Sequence, residues 1–207
     1  MPDQNPIGTG DCAFCDLEAI AEAGYVLHEG EDFYAITDYA PIAQAHLLLI
    51  PRHHYPHLAA LPPELHAEFQ SLKLMLGDFV RRHYGELMYW ENGVFGQSVP
   101  HAHLHVISLA LDQRLYEHAG PAFSGIDGLQ EQHLANGGHY FTIEQAEEAR
   151  FLPPDPDLYV RILHHGQERS PYWVRNRDER RSRGQPLIDT LKQRWRGEMS
   201  SLLQRIE

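Results

Sequence analysis

Three histidines alternate with small or apolar residues in the stretch HAHLHVI: His101, His103 and His105. Residues two apart on a strand share a face and stand about 6.5–7 Å apart, so the spacing predicts three imidazoles on one side. The residues between them would face the core: Ala102, Leu104 and Val106. Imidazole serves as nucleophile, as general acid or base near neutral pH, and as metal ligand. The pattern therefore favours phosphoryl chemistry, with a metal site or a structural role as alternatives.

The segment before the histidines is rich in glycine and in hydrogen-bond donors. Gly93 and Gly96 let backbone N–H groups approach an anion closely, while Gln97 adds an amide and Ser98 a hydroxyl. Donors beside a nucleophile suit a phosphoryl centre that gains charge in its transition state. This neighbourhood strengthens the phosphoryl interpretation.

The two cysteines, Cys12 and Cys15, form a C-x-x-C pair. A disulfide framework is not expected from so few cysteines without an export signal. No apolar strand precedes Cys12, which argues against a redox motif. The pair is either half of a metal site that needs two more ligands elsewhere, or two ordinary thiols.

Charge is distributed unevenly along the 207 residues, whose formal net charge is -12. Residues 1–150 hold 6 Lys and Arg against 21 Asp and Glu, whereas residues 151–207 hold 11 against 8. An acidic body repels a polyanionic backbone, so no general nucleic-acid binding is expected, although local donors can still hold a small phosphorylated ligand.

Membrane insertion and export are not expected. The longest strongly apolar run, residues 45–51, is too short to span a bilayer, and the N-terminus lacks the basic and apolar regions of a signal peptide. We therefore expect a cytoplasmic protein.

The first half reads as strands, one long helix, then strands. Strands are predicted over residues 34–38, 46–50, 87–90 and 102–109, and a helix over residues 63–84 with its apolar residues on one face. This order predicts an α+β fold with an antiparallel sheet, complete near residue 111.

The second half differs from the first in its glycine content and in its predicted elements. Glycines between residues 120 and 138 predict a loop-rich linker, and Thr142–Gln145 resembles the capping box of a short helix over residues 143–150. Strands are predicted over residues 158–163 and 172–174, followed by a terminal amphipathic helix. We therefore expect two units, residues 1–111 and residues 112–207.

At this point the chain resembles a known family. HAHLHVI matches the signature of the histidine triad (HIT) family at every position, and Gly96–Val99 resembles the segment that leads into the triad in its Hint and Fhit branches. Asp38, followed by residues 46–52, resembles the family's "D…GH-x-LVIPK" strand. The resemblance covers residues 12–110 and implies a HIT-like antiparallel sheet with one long helix, followed here by a smaller α/β C-terminal extension.

The resemblance also implies a nucleotide hydrolase. His103 would attack the α-phosphorus and form a covalent nucleotidyl-histidine, which water then resolves. His105 would donate to the phosphate oxygens and His101 would complete the triad. The remaining roles are implied in the same way: Gln97 and Ser98 around the transferred group, His46 orienting the triad, Asp38 holding the ribose. Without the resemblance, a core histidine is the favoured interpretation of His46, and Asp38 is equally well explained as a turn former.

Dinucleoside polyphosphates and nucleoside phosphoramidates are the substrates this implies, with no catalytic cofactor. A nucleotidyltransferase or phosphorylase with the same intermediate, and a non-catalytic nucleotide- or zinc-binding module, are the alternatives. Trp90 stands where Hint members have a supporting Asn, so that role stays open for Asn92. Pro100 is more typical of hexose-1-phosphate uridylyltransferases, but the third histidine, His105, favours a hydrolase.

Some bacterial members of the family pair an N-terminal C-x-x-C with two histidines. Carried over by position, the ligands are Cys12, Cys15, His54 and His101, with His53 as the alternative to His54. Two thiolates and two imidazoles suit a structural zinc ion. The family also implies a homodimer.

Arginines and aromatic residues are concentrated between residues 169 and 183. Such a stretch could reach over the pocket and hold a polyphosphate tail, with its aromatic side chains against a base. The alternative, which we prefer from the sequence alone, is a solvated loop whose arginines pair with the acidic body. The sequence leaves both interpretations open.

Overall fold

The computed structural model describes residues 12–203, and within them the chain builds one antiparallel sheet of eight strands in the order β1-β2-β3-β5-β4-β7-β8-β6. The strands are β1 Val26–Glu29, β2 Phe33–Thr37, β3 His46–Pro51, β4 Met88–Glu91, β5 Leu104–Ile107, β6 Ala122–Phe123, β7 Phe141–Gln145 and β8 Glu148–Leu152. The helices are α1 Leu17–Glu22, α2 His66–Tyr84, α3 Gly125–Asn136, α4 Pro156–Arg169 and α5 Arg177–Leu203. Residues 1–11, on which the prediction about a signal peptide rests, lie outside the described part.

The predicted α+β architecture is confirmed. β3 lies between β2 and β5 and is buried along its whole length, because both of its faces are covered: Leu47 and Leu49 pack in the main core, and Leu48 and Ile50 pack in another cluster. Leu48 of β3 lies opposite His105 of β5, and His46 lies opposite Ile107. His46 and His105 are therefore diagonal neighbours on the same face of the sheet.

The long helix is confirmed as α2, which begins after a short 3-10 turn at Pro63–Leu65 and ends at Tyr84, followed by Gly85 with a φ of +87°. Its apolar face packs on one side of the sheet in the main core, together with Ala102, Leu104 and Val106 from the histidine segment. The expected apolar back of that segment is thus confirmed.

The prediction of a short helix over residues 143–150 is wrong. These residues form the hairpin of β7 and β8, which turns at Ala146 and Glu147 with φ of 50° and 65°. β7 pairs with the outer edge of β4 from Met88↔Gln145 to Glu91↔Thr142. Pairing with a free strand edge has outweighed a local capping signal, which stabilises a helix by only about 1 kcal/mol.

The strands predicted over residues 158–163 and 172–174 are wrong as well. The first segment belongs to α4, whose start is capped by Asp155 accepting from the backbone N–H groups of Asp157 and Leu158. Leu158, Ile162 and Gly166 of α4 are buried at a spacing of four, which is the period of a helix face. Residues 172–174 form a loop without regular structure.

The linker predicted between residues 120 and 138 contains α3, which buries Ile126 and Leu129 against the main core. The terminal amphipathic helix is confirmed as α5, which buries Ile188, Leu191 and Trp195. Among residues 12–203 no helix combines the length and apolar character needed to cross a bilayer.

One hydrogen-bonded sheet runs across the predicted unit boundary at residue 111, because β4 pairs with β5 on one side and with β7 on the other. The division into two units stays a prediction. α4 lies over the sheet face opposite to α2, in a second apolar cluster with Trp90, Ile107 and Trp173. This second layer forms one wall of the cavity described below.

Candidate active site and metal cluster

His46 and His105 are joined by a hydrogen bond between Nε2 of His46 and Nδ1 of His105, 2.8 Å apart. The backbone N–H of Ile42 donates to Nδ1 of His46 at 3.4 Å. A neutral His46 then carries its proton on Nε2 and donates it to His105, which places the proton of His105 on Nε2. This relay leaves His105 as a hydrogen-bond donor in the wall of a cavity.

Asp38 follows β2 and has two different environments for its two oxygens. Oδ1 accepts from the backbone N–H of Ala40 at 2.7 Å, as a turn-forming aspartate does, while Oδ2 lies 3.7 Å from Nδ1 of His46. Asp38 also lines the cavity. The turn role and a position in the site are therefore compatible.

His103 is held by its own segment. Its Nδ1 donates to the backbone carbonyl of His101 at 2.7 Å, so the lone pair of the neutral ring lies on Nε2. The ring packs against that of His105, with centroids 4.7 Å apart, and edge-on against Phe14 at 5.2 Å. It is 3% exposed and lies behind the cavity wall.

Burial sets the protonation of these rings. It lowers the pKa of His46 and of His103 against the opposing charge of Asp38, and it lowers the pKa of His105 well below its ordinary value. All three imidazoles are therefore neutral at pH 7, the form in which a ring can both donate and accept.

The glycine-rich segment before the triad lies beside α4. Gly96 has a φ of +73°, and a side chain there would meet the ring of Tyr159. Gln97 Nε2 donates to the carbonyls of His101 at 3.0 Å and Pro56 at 3.3 Å, whereas Ser98 is exposed in the cavity wall. Gln97 thus braces the triad segment, and Ser98 offers its hydroxyl to a ligand.

Asn92 also lines the cavity, and its Oδ1 accepts from the Trp90 indole at 2.9 Å and from the Tyr159 hydroxyl at 3.1 Å. The cavity measures ≈ 710 Å³, within the range of about 300–1,000 Å³ typical of small-molecule sites. Sequence reasoning missed the part of its wall that comes from α4, because that segment was predicted as a strand: Tyr159, Val160, Leu163, His164 and Gln167.

The second cluster brings together Cys12, Cys15, His54 and His101, whose candidate ligand atoms all lie within 4.8 Å of one another. Nδ1 of His101 is 3.4 Å from Sγ of Cys12 and 3.5 Å from Sγ of Cys15, and Nδ1 of His54 is 3.4 Å from Sγ of Cys15. Tetrahedral zinc with Zn–S of about 2.3 Å and Zn–N of about 2.0–2.1 Å requires S and N about 3.5 Å apart. The donor set fits such an ion.

The surroundings of the cluster are those of a metal site. His101 donates from Nε2 to the carbonyl of Pro51 at 2.8 Å, which turns its Nδ1 lone pair towards the two thiols. Burial and the neighbouring Cys12 raise the pKa of Cys15 to about 11, a cost that a bound cation would remove. His53, the alternative ligand, is exposed and lies outside the cluster.

Together, the fold and the site define an α+β protein. It carries two histidines joined by a hydrogen bond, beside a cluster of two thiols and two imidazoles. Residues 22–110 match the HIT domain. This segment, 89 of the 207 residues, is the part of the chain that matches the histidine triad family.

Among curated proteins, the chain is similar to adenylylsulfatase HINT3 of Arabidopsis thaliana, with 29% identity over 101 residues, 47% of this chain and 51% of that protein. It is 26% identical to adenosine 5'-monophosphoramidase HNT1 of Saccharomyces cerevisiae over 96 residues, 46% of this chain and 61% of that protein. The chain thus spans about half the length of the adenylylsulfatase that it matches.

Among solved structures, the chain is similar to a Zn-bound histidine triad family protein from Mycobacterium smegmatis, with 30% identity, a TM-score of 0.42, and coverage of 48% of this chain and 76% of that one. A hypothetical histidine triad nucleotide-binding protein from Sulfolobus tokodaii is 27% identical with a TM-score of 0.42, covering 46% of this chain and 67% of that one. Both matches cover less than half of this chain.

Proposed function

We propose that the protein is a nucleotide hydrolase that cleaves a phosphoanhydride or phosphoramidate through a covalent nucleotidyl intermediate on His103. The observation that carries the proposal is the hydrogen bond from Nδ1 of His103 to the carbonyl of His101, since it leaves the lone pair of the ring on Nε2. The adjacent His105 also supports it, because the hydrogen bond from His46 to Nδ1 of His105 places the proton of that ring on Nε2.

In the first step, Nε2 of His103 forms a bond to the α-phosphorus while the bond from phosphorus to the leaving group breaks, and the leaving group departs with the electron pair. A polyphosphate departs as an anion, whereas an amine takes up a proton from solvent as it departs. The Nε2–H of His105 donates to the phosphoryl oxygens as they gain charge. In the second step a water oxygen bonds to phosphorus, the bond between phosphorus and Nε2 breaks, and a proton from that water leaves with the solvent. His103 is restored.

The other residues position these groups. His46 fixes the tautomer of His105, and His101 holds His103 through its backbone carbonyl. We assign Asp38 to the ribose hydroxyls, and Ser98 and Asn92 to the polar groups around the transferred phosphoryl, with Gln97 bracing the segment that carries them.

The test is turnover of a diadenosine polyphosphate and of adenosine phosphoramidate by wild type, His103→Asn and His118→Asn. His118 is the matched control because its side chain is 91% exposed and does not line the cavity. We expect wild type and His118→Asn to turn over at least one compound and to yield an adenylylated chain on acid quench, and His103→Asn to lose turnover by about 10³-fold or more. Equal turnover by His103→Asn would contradict the proposal.

A non-catalytic nucleotide-binding module is the second candidate, and the 3% exposure of His103 is the observation that favours it. Nucleotide binding without turnover of either compound by wild type would support this module. Turnover that appears only when inorganic phosphate or another acceptor is added would instead indicate a nucleotidyltransferase or phosphorylase.

We further propose that Cys12, Cys15, His54 and His101 hold a structural zinc ion. The set is closed by four protein ligands, and a bound ion would join residues 12–15 to the loop after β3 and to the triad segment. Zinc content of the purified protein is expected to fall from about one per chain to near zero in Cys12→Ser and His54→Asn, and to stay unchanged in His53→Asn. Equal zinc in wild type and Cys12→Ser would remove this ligand set.

A further inference from the structure

Three arginines from the segment between α4 and α5 and from the first turn of α5 line the cavity: Arg175, Arg177 and Arg180. Of the two interpretations left open for this stretch, the solvated one required pairing with the acidic body. Among residues 12–203, no carboxylate oxygen lies within 4.0 Å of these three guanidinium groups. Their charges face the cavity without a carboxylate partner.

Neutral groups hold these arginines in place. Arg177 stacks over the ring of Tyr39 at 4.6 Å, beside Asp38, and Arg175 Nη2 lies 2.7 Å from Nε2 of His164 in α4. Arg180 donates from Nη1 to the carbonyl of Val174 at 3.2 Å, while its buried Nε has no hydrogen-bond partner. Guanidinium groups positioned in this way keep free donors for an anion.

The cavity wall therefore has an excess of positive charge in a chain whose net charge is -12. Asp38 supplies the carboxylate of the lining, against three arginines. A nucleoside monophosphate group brings at most two negative charges, and within the proposed function its phosphoryl oxygens already face His105 and Ser98. The three arginines are left for negative charge elsewhere on the substrate.

We propose that this arginine wall, defined as Arg175, Arg177 and Arg180, is a second anion subsite that binds the phosphate chain of the departing group. The inference rests on the proposed function and deepens it. It assigns the substrate to nucleotides with a polyanionic leaving group, such as dinucleoside polyphosphates, in preference to phosphoramidates, whose amine leaving group is neutral or cationic.

The experiment compares kcat/KM for diadenosine tetraphosphate and adenosine phosphoramidate in wild type, in the double variant Arg175→Gln/Arg177→Gln and in Arg183→Gln. Both replaced arginines of the double variant are exposed, so the fold tolerates their loss. Arg183 is the matched control, since it is paired with Glu179 on α5 and lies outside the cavity.

We expect the double variant to lower kcat/KM for the tetraphosphate by roughly tenfold, with little change for the phosphoramidate, because two charge-assisted contacts are lost. Arg183→Gln is expected to leave unchanged the ratio of kcat/KM for the tetraphosphate to kcat/KM for the phosphoramidate. In wild type, added salt should lower that ratio as the guanidinium charges are screened. Arg180→Lys, which keeps the charge of the half-buried arginine, should retain more of the ratio than Arg180→Gln.

An unchanged ratio in the double variant, with wild type active on either compound, would overturn the subsite and leave the proposed function intact. An equal fall for both compounds would also overturn it, since the arginines would then serve the transferred phosphoryl group. Absence of turnover by wild type on either compound would count against the proposed function itself. Thermal unfolding midpoints of all variants serve as the control for folding.

Discussion

His101 connects the two clusters of the molecule through different atoms of one residue. Its ring faces Cys12 and Cys15, and its carbonyl accepts the hydrogen bond that fixes the tautomer of His103. The resemblance assigned His101 to both the triad and the metal ligands, whereas the spacing placed all three histidine rings in one pocket; the role of the His101 carbonyl was not predicted. The structure separates them, because the ring of His101 is fully buried among the cluster and only that of His105 reaches the cavity.

A single carboxyl group outside both clusters has a protonation state that can be tested. Glu91 at the end of β4 is fully buried and accepts hydrogen bonds from the backbone N–H of Leu58 at 2.6 Å and from the hydroxyl of Tyr140 at 3.0 Å. Burial raises the pKa of Glu91 to about 8, although these hydrogen bonds oppose the change. The protonation state of this carboxyl could not be predicted from the sequence, because its burial depends on β7 and on Tyr140, the residue before it.

The dependence of the free energy of unfolding on pH should show the contribution of Glu91. A carboxyl with a folded pKa above its unfolded value of 4.5 stabilises the fold fully at low pH and loses that contribution as pH rises towards 8. Glu91→Gln should therefore remove a downward slope of at most about 1.4 kcal/mol per pH unit between pH 5 and 8. Urea unfolding of both proteins across this range measures it, and identical slopes would refute the protonated state of Glu91.

At the scale of elements, the sequence predicted strands and helices well where the hydrophobic pattern of a segment agreed with its burial in the structure. β3 is a continuous apolar run and α2 has a regular apolar face with Gly85 after it, so both were predicted close to their bounds. The hairpin of β7 and β8 was missed because its turn uses Ala146 and Glu147 at positive φ, positions where glycine or asparagine is the usual signal. α4 was missed because β-branched residues in LYVRIL suggested a strand, although Asp155 and Pro156 mark a helix start.

The packing of α4 can be tested with two glycines in helices. A methyl group on Gly166 in α4 would overlap the ring of Trp173, whereas one on Gly197 in α5 would meet nothing within 4 Å. Gly197→Ala should stabilise the protein by about 0.5–1 kcal/mol through helix propensity. Gly166→Ala should instead destabilise it by about 1–3 kcal/mol, because the ring must move. Thermal or urea unfolding measures both, and a stabilising Gly166→Ala would show that Trp173 is not held there.

At the scale of the whole molecule, the extension is part of the sheet. β7 covers the edge of β4, so that edge is closed to a second chain. The homodimer stays a prediction, and a dimer that pairs strands would have to use β1 or β6, the outermost strands among the described residues. The sequence could not reveal this, because strand order between distant segments depends on long-range pairing.

A fragment ending at residue 111 should lose the properties of the full chain. Its β4 edge and the apolar residues Trp90 and Ile107 would be uncovered, and exposed edges of this kind associate. We expect the fragment to form dimers or larger species by light scattering at concentrations where the full chain keeps one defined size. A monomeric fragment with cooperative unfolding would instead support residues 1–111 as an independent unit.

The pairing of β4 with β7 also has a consequence for synthesis. β4 ends at Glu91, and its partner β7 starts only at Phe141. At about 5–20 residues per second, the ribosome needs roughly 3 to 10 s to make the chain between them. For that interval the nascent chain carries an unpaired strand edge next to an uncovered tryptophan, the kind of surface that leads to association before folding is complete.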